Sequence, residues 1–237
     1  MSFTDPDRIC GAPAVAALFA CRPAAVLRLF YVPEQRFRAG PYCALLAKSR
    51  RPYREVPPEE MTRIAGTPHH GGIVGIAEPR SLMALPDNLA ITGTLLPVLD
   101  GVGNPHNLGA LARTAAFFGA RAMLLGGMGR AGLSDAAYRV SEGGLEHLTL
   151  YRADPLASVL RGLAPRMLTV VAVAAGGVAP AAVPRDRPIA LVLGNEETGP
   201  APDTIAACEM RVTLPGSGLV ESLNVSAAAA VLFHALT

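Results

Sequence analysis

The chain has 237 residues, 51% of them apolar, and a formal net charge of +2 at pH 7. This length and apolar content are enough for one large or two modest domains with sizeable cores. A net charge so close to zero excludes any argument for nucleic-acid binding from global charge, so such binding must be argued from local clusters.

The four cysteines show neither a CxxC pair nor another metal-ligand spacing, so we expect free thiols in a reducing cytosol and no metal site. The first ten residues, MSFTDPDRIC, lack the basic start and the apolar core of a signal peptide. The longest uncharged stretch, residues 167–184, is broken by glycines and a proline and falls short of the ~20 apolar residues of a membrane helix. We therefore expect a cytoplasmic protein without a membrane partner.

The first third of the chain alternates helical and strand patterns and then loses its periodicity. Residues 78–93 carry two prolines and no clear pattern, which indicates a linker. The pattern predicts helices over 14–21, 42–48 and 58–64 and strands over 26–32 and 73–77.

From residue 95 onward, apolar runs of about five residues alternate with helical patterns, which predicts a parallel sheet covered on both faces. The predicted strands are 95–99, 122–125, 168–173, 189–193 and 211–214, and the predicted helices are 108–118, 135–140, 155–163 and 225–236. The sequence thus predicts two α/β domains, over residues 1–80 and 95–237, with 81–94 as the linker.

A local basic cluster lies in the first domain. Residues 36–54 contain six basic side chains, no acidic one and three aromatic ones; the basic ones are Arg36, Arg38, Lys48, Arg50, Arg51 and Arg54. Such charges can neutralise phosphates and aromatics can stack on unpaired bases, so the segment is a candidate RNA contact. An ordinary solvated surface is the alternative that the composition leaves open.

Three junctions that follow predicted strands carry unusual polar residues. The first, LDGVGNPHNLGALARTAAFFG, fails the dinucleotide pattern G-x-G-x-x-G, but it places Asn107 at a helix start and Arg113 on an otherwise apolar helix. The second, LVLGNEETGP, places Gly194, Asn195 and Glu196 after a strand, where open α/β sheets bind ligands.

The third junction, LPGSGLVESLNVSAAAAVLF, has more polar side chains than one helix cap needs, namely Ser222, Asn224 and Ser226. All three junctions follow strands, so they could meet at one edge of the sheet. The alternatives are a surface arginine for Arg113, a helix N-terminal acid for Glu196, and a simple N-cap in the third junction.

In their order and spacing, these three segments resemble the motifs of the SpoU (TrmH-type) RNA 2′-O-ribose methyltransferases of the SPOUT class, over residues 95–237. Residues 8–80, with ICGAPAVAALF and HHGGIVGIAEP, are similar to the family's substrate-binding domain, which is like a small RNA-binding ribosomal protein. The resemblance implies a deep trefoil knot, a homodimer, S-adenosylmethionine as methyl donor, and ribosomal or transfer RNA as substrate.

The resemblance also implies roles for individual residues. Arg113 is the catalytic arginine; because a guanidinium stays protonated, stabilising the 2′-alkoxide suits it better than accepting a proton. Asn107 would position Arg113 or the ribose, Glu196 would orient the site and favour the sulfonium, and Ser222 and Asn224 would fix the knot loop and the acceptor. The residues implied in cofactor binding are Gly194, Asn195, Leu214, Gly218 and Leu223.

Two rival functions belong to other classes. The first is an RNA-binding protein of the same fold that lacks methyl transfer, and the presence of all five implied catalytic residues argues against it. The second is a Rossmann oxidoreductase, which the failed glycine spacing disfavours.

Overall fold

A computed structural model describes residues 5–86, 88–89 and 93–237. By its internal contacts the chain divides into two compact units: unit 1 comprises Met1–Ser81 and Leu133–His147, and unit 2 comprises Leu82–Gly132 and Leu148–Thr237. Of the predicted linker 81–94, residues 87 and 90–92 lie outside the described residues.

Eleven strands occur in the described residues. They are β1 (Asp7–Cys10), β2 (Val26–Tyr31), β3 (Tyr53–Glu55), β4 (Ile73–Ala77), β5 (Met83–Ala84), β6 (Leu95–Asp100), β7 (Ala122–Gly126), β8 (Thr149–Arg152), β9 (Leu168–Ala172), β10 (Ile189–Gly194) and β11 (Met210–Val212).

Eight α-helices accompany these strands in the same described ranges. They are α1 (Ala12–Cys21), α2 (Arg36–Lys48), α3 (Pro58–Ala65), α4 (Pro105–Phe117), α5 (Asp135–Ser141), α6 (Leu156–Leu163), α7 (Pro202–Ala207) and α8 (Val225–Leu236). Within the described chain, no helix is both long and apolar enough to span a bilayer.

Unit 1 is built on a mixed four-stranded sheet with the order β1-β4-β2-β3. β4 runs antiparallel to both of its neighbours, while β2 and β3 are parallel. Gly75 in β4 allows α1 to approach closely, because a Cβ there would lie 2.9 Å from Leu18 Cδ2.

Helix α2 begins six residues earlier than predicted, directly after a short 3-10 turn. The prediction was misled by Pro41, which lies inside the helix. Proline removes the hydrogen bond to the carbonyl four residues back, at Phe37. Phe37 is 95% exposed, so its carbonyl is at a surface where water can replace that bond.

Residues 133–147 pack on the rest of unit 1 through a polar cluster that is mostly buried. The Arg22 guanidinium donates two hydrogen bonds to the Glu146 carboxylate, at 2.8 and 3.0 Å, and Tyr138 donates to Asp7 at 2.9 Å. Burial raises the pKa of the Asp7 carboxyl, although hydrogen bonds from Tyr138 and the backbone of Arg80 act in the opposite direction. This cluster fastens the segment to β1 and the end of α1.

Unit 2 is built on a seven-stranded sheet whose neighbouring strands are all parallel, in the order β11-β9-β10-β6-β7-β8-β5. The central strands β6 and β10 are buried along their whole length, as expected for a sheet covered on both faces. The predicted parallel α/β architecture is therefore confirmed, while the knot stays a prediction. Because all strands run in one direction, their carboxyl ends share one edge, which we call the carboxyl edge.

Candidate active site

The first junction is shaped by the start of α4. Asn104 caps the helix, since its Oδ1 accepts the backbone N–H of His106 at 2.8 Å, and Pro105 occupies the first helical position. This places Asn107 in the first turn, where its residue surface is only 8% exposed. A buried amide needs partners, and Asn107 finds them in the other two junctions.

Glu196, from the second junction, lies over the start of α4. Its carboxylate accepts a hydrogen bond from Asn107 Nδ2 at 2.7 Å and from the backbone N–H groups of Gly103 and Asn104, both at 3.3 Å. Partial burial by itself would raise the pKa of the Glu196 carboxyl, but the hydrogen bonds from Asn107 and from backbone N–H groups outweigh it and lower the pKa. Glu196 is therefore ionised at neutral pH.

Asn224, from the third junction, has two functions. Its Oδ1 caps α8 by accepting the backbone N–H of Ser226 at 2.9 Å and the Ser226 hydroxyl at 2.6 Å. Its Nδ2 donates to Asn107 Oδ1 at 3.2 Å. Asn224, Asn107 and Glu196 thus form a continuous hydrogen-bonded row, which we call the Asn–Asn–Glu row, and it joins the three predicted junctions.

Asn195 and Gly194 shape the turn after β10. Asn195 donates from Nδ2 to the carbonyl of Gly101 at 2.8 Å, and its Oδ1 accepts the backbone N–H of Glu197 at 2.9 Å. A Cβ on Gly194 would lie 2.1 Å from the Pro200 nitrogen, so the protein's own loop fills the space that the glycine leaves. Close packing of this loop explains why the position must be glycine, where the sequence alone suggested room for a ligand.

The loop over residues 213–224 contains the remaining predicted cofactor residues. Leu214 is half-buried, Leu223 is 52% exposed, and Gly218 has a φ of +82°, in the region that favours glycine. Ser222 is exposed, and its side chain makes no hydrogen bond within the described ranges. Leu223 adjoins Asn224 and Gly194 is two residues from Glu196, so their backbones lie near the two ends of the Asn–Asn–Glu row.

The predicted cofactor residues are compatible with S-adenosylmethionine, the methyl donor that the resemblance implies. Backbone groups at the carboxyl ends of parallel strands can hold adenosine; Gly194 ends β10 and Leu214 follows β11 by two residues, while Leu223 adjoins Asn224 just before α8. The ionised carboxylate of Glu196 at the same edge is compatible with a cationic sulfonium.

Arg113 does not share the side of α4 that carries Asn107. Six helical residues separate the two, which corresponds to roughly 120° around the axis and about 9 Å along it. Asn107 is buried and Arg113 is exposed. The structure therefore brings Asn107, Glu196 and Asn224 together and places Arg113 on another side of α4, so the positioning of Arg113 by Asn107 stays a prediction.

A cavity of about 960 Å³ opens beside this row, and we call it the carboxyl-edge cavity. Of the five predicted cofactor residues, only Asn195 lines it. The loops after β6, β7, β8 and β10 form its wall, with residues 100–101, 127–130, 154–156, 195 and 198–204. Arg130 and Asp154 form an ion pair at its wall, with Nη1 2.7 Å from Oδ2.

Neither residue of this pair was predicted from the sequence. Each follows a strand by a few residues, which is the signal that marked the other junctions. β8 was not predicted, so the position of Asp154 at the carboxyl edge could not be recognised.

In unit 1, the predicted RNA-contacting arginines do not form a single patch. Arg36 is paired with Glu55 through two bonds of 2.7 Å, and Arg54 is paired with Glu60. Arg51 donates to the carbonyls of residues 23 and 26 at 3.0 and 2.9 Å, which is a structural role. Arg38 and Arg50 are exposed.

The two ends of α2 lie at opposite edges of the sheet of unit 1. Arg36 and Arg38 are at the start of α2, which follows the carboxyl end of β2, whereas Arg50 and Arg51 precede β3. The thirteen residues of α2 span about 20 Å between them. The exposed ring of Phe37 lies with Arg38 at the first of these two edges.

Two family models match the chain. Residues 94–234 match the SpoU rRNA methylase family, and residues 8–83 match the RNA 2′-O ribose methyltransferase substrate-binding domain. The chain belongs to the SpoU rRNA methylase family. This membership removes the oxidoreductase alternative and agrees with the resemblance of the three junctions.

Curated relatives of this SpoU family member extend over most of its length. A 23S rRNA (guanosine-2′-O-)-methyltransferase RlmB from Acinetobacter baylyi is 30% identical over 97% of this chain and 96% of its own. The corresponding RlmB from Nitrosomonas europaea is 36% identical over 73% of this chain and 68% of its own.

Solved structures share the fold. An rRNA methyltransferase from Sinorhizobium meliloti bound to AdoMet superposes with a TM-score of 0.82 at 23% identity, covering 98% of this chain and 87% of its own. The SpoU methyltransferase AviRb from Streptomyces viridochromogenes, in complex with AdoMet, gives 0.76 at 19% identity, covering 98% and 89%. At these identities, the likeness shows the fold alone.

Proposed function

We propose that this protein transfers a methyl group from S-adenosylmethionine to the 2′-hydroxyl of a guanosine ribose in ribosomal RNA. The observation that carries the proposal is the Asn–Asn–Glu row, in which Asn224, Asn107 and Glu196 join three separate sequence motifs at one edge of a parallel sheet. Ribosomal RNA and guanosine are preferred because relatives that extend over much of the chain are named for this substrate.

The donor supplies a methyl group on a sulfonium, and the protein must align it with the ribose oxygen. The backbone at Gly194, Leu214 and Leu223, together with Asn195 and Gly218, would hold the adenosine part. Asn107 and Asn224 keep the loop that precedes α8 attached to the start of α4. Ser222, which is exposed in the same loop, would hydrogen-bond the acceptor. Arg113, as a permanent cation, would stabilise the developing 2′-alkoxide and would not remove its proton.

Three further features belong to the same proposal. We infer a trefoil knot in the loop that precedes α8, a cytoplasmic location, and a homodimer. The dimer is supported by exposed apolar side chains on the packed pair α4 and α8, with Phe117 at 82% and Val231 at 48% exposure. In unit 1 we favour Arg38 over Arg36, Arg51 and Arg54 as the RNA contact, because these three already have partners.

Two measurements test the function. S-adenosylmethionine should raise the melting temperature of the protein, and NAD should not, since only a ligand that binds the native state stabilises it. Mapping of 2′-O-methyl groups in total RNA from cells with and without the gene should show one guanosine site that depends on it. Binding of the donor without any lost RNA site would instead indicate an RNA-binding protein that lacks methyl transfer.

A further inference from the structure

The carboxyl-edge cavity lies where an open parallel sheet places its ligands. β6 and β10 are neighbours in the sheet, but the chain leaves them in opposite directions. After β6 it continues to β7 on one side, and after β10 it continues to β11 on the other side. Ligands bind at such a switch point, outside the carboxyl ends of the strands. The cavity begins at this point and extends over β7 and β8, and its volume of about 960 Å³ is within the usual range for small-molecule pockets.

The walls of the cavity offer one strong donor beside one strong acceptor. Both hydrogen bonds that Arg130 makes within the described chain, to the carbonyl of Gly127 and to Asp154, use Nη1. Nη2 and Nε therefore remain able to donate. The Asp154 carboxylate receives Arg130 on Oδ2 and retains Oδ1, and both side chains are partly exposed, at 30% and 38%.

This pair is complementary to guanine. The Watson–Crick edge of guanine presents two adjacent N–H donors, N1 and N2, next to the acceptor O6, so a carboxylate and a guanidinium side by side can meet all three groups. Adenine, cytosine and uracil each offer fewer adjacent donors to a carboxylate. Met128, which is 95% exposed, is on the same loop as Arg130 and supplies an apolar surface for the face of a base.

The cavity is also next to the predicted donor site without coinciding with it. Leu214, Gly218 and Leu223 belong to the loop after β11, on the other side of β10, and none of them lines the cavity. Asn195 lines the cavity and is adjacent to Glu196, which ends the Asn–Asn–Glu row. An acceptor nucleotide must lie beside the donor in this way for methyl transfer.

We propose that the carboxyl-edge cavity holds the guanine base of the acceptor nucleotide, with Asp154 accepting from N1–H and N2–H and Arg130 donating to O6. The proposal rests on the proposed methyl transfer to guanosine, and it adds the residues that select the base. Arg130 and Asp154 would be specificity-determining residues that touch the substrate and have no part in binding the donor.

The first test is binding of free nucleotides, measured by saturation-transfer NMR and calorimetric titration with GMP, AMP, CMP and UMP. GMP should bind more tightly than the other three, and Asp154→Asn should weaken GMP by about tenfold while leaving the others unchanged. Asp186→Asn, which changes an exposed aspartate elsewhere in unit 2, is the matched control. Equal affinities for the four nucleotides, or an unchanged GMP affinity in Asp154→Asn, would overturn the assignment.

The second test uses ribosomal RNA from cells that lack the gene, in single-turnover methyl transfer. Arg130→Ala and Asp154→Asn should reduce transfer about tenfold or more at subsaturating RNA, while calorimetric affinity for S-adenosylmethionine stays unchanged; Arg121→Ala, at the opposite edge of the sheet, is the control. If the wild type transfers methyl and both variants keep its rate, the base site is wrong and the methyl transfer stands. If the wild type transfers none although it binds the donor, the proposed function itself fails.

Discussion

At the scale of single residues, Arg113 is the charge on which the chemistry depends in the proposed function. It is exposed on α4, whose opposite face packs into the core through Leu108, Leu111 and Ala115. Arg113→Ala should leave the fold and the affinity for S-adenosylmethionine intact and reduce methyl transfer by roughly 10²-fold, as for a lost oxyanion donor. Single-turnover kinetics at saturating RNA provide the measurement.

Arg113→Lys is the informative companion variant. It should recover little of the activity, because an ammonium does not replace the planar guanidinium fork. A normal rate for the alanine variant once RNA saturates would mean that Arg113 contributes to binding alone.

The hydrogen bond from Asn107 helps to lower the pKa of Glu196, and this leads to a prediction about pH. The pKa of the Glu196 carboxyl is lowered in the folded protein, so its hydrogen bonds stabilise the fold above the unfolded pKa and this contribution is lost as the pH falls through the folded value. Asn107→Ala removes the side-chain donor and should raise the pKa of Glu196, shifting that loss to higher pH. Carbon-detected NMR titration of the Glu196 carboxyl measures the change.

Asn224→Ala is the matched control for this titration. It breaks the bond to Asn107 Oδ1 but keeps the donor that faces Glu196, so the pKa of Glu196 should move much less than in Asn107→Ala. Equal shifts in the pKa of Glu196 in the two variants would show that the Asn–Asn–Glu row acts by positioning the loop before α8, and not through the hydrogen bond from Asn107 to Glu196.

At the scale of elements, we expect the arginines at the two ends of α2 to differ in function, with Arg38 contributing to RNA binding and Arg51 to stability. Arg38→Ala should weaken RNA binding and reduce the slope of log K against log salt by about one, with no loss of stability. Arg51→Ala should lower the free energy of unfolding by about 1–2 kcal/mol, because its guanidinium bonds two backbone carbonyls, and should change the salt slope little.

Salt-dependent RNA titrations and urea unfolding of both variants give the two readouts. A loss of salt slope in Arg51→Ala but not in Arg38→Ala would place the RNA at the other edge of the sheet. Each variant serves as the control for the other, because both remove one arginine from the same segment.

The central strands could be predicted from the sequence, while several short elements could not. β6, β9 and β10 were predicted to within one residue, because each is an apolar run buried on both faces, and α8 was predicted with its observed bounds after the Asn224 cap. β8 and α7 were missed, since four or six residues with mixed polarity give no clear period. β5 fell inside the predicted linker for the same reason.

The residues of the Asn–Asn–Glu row could be predicted from the sequence, but the hydrogen bonds that connect them could not. Motif positions identified Asn107, Glu196 and Asn224, and the structure joins them. The bond between Asn107 and Asn224 connects residues 117 positions apart, and no local pattern encodes such a pairing. The stretch of arginines did not show that Arg36 and Arg54 pair with Glu55 and Glu60, which lie just outside the basic segment, and its contact with RNA stays a prediction.

At the scale of the whole molecule, the proposed homodimer predicts where association can be broken. Phe117 is exposed and its ring contacts Phe118, which in turn lies against Phe233 of α8, so the apolar surface continues from the core of unit 2 to the solvent. Phe117→Asp should convert a dimer into a monomer in sedimentation velocity at micromolar concentration, with the far-UV circular dichroism unchanged. Leu45→Asp, which adds a charge at an exposed leucine of unit 1, should leave the dimer intact.

The first family model ends at residue 83 and the second begins at residue 94. The two compact units do not follow this division, because the chain crosses from one unit to the other after Ser81, Gly132 and His147. A fragment beginning at Leu82 would keep α5 while losing the surface that α5 covers, and would leave Glu146 without the guanidinium of Arg22. Residues 133–147 would thereby lose both their packing surface and their ion-pair partner, so we expect this segment to lose its conformation in the fragment. The two matched domains are therefore not interchangeable modules: a fusion that replaced residues 1–81 would also have to supply a packing surface for residues 133–147.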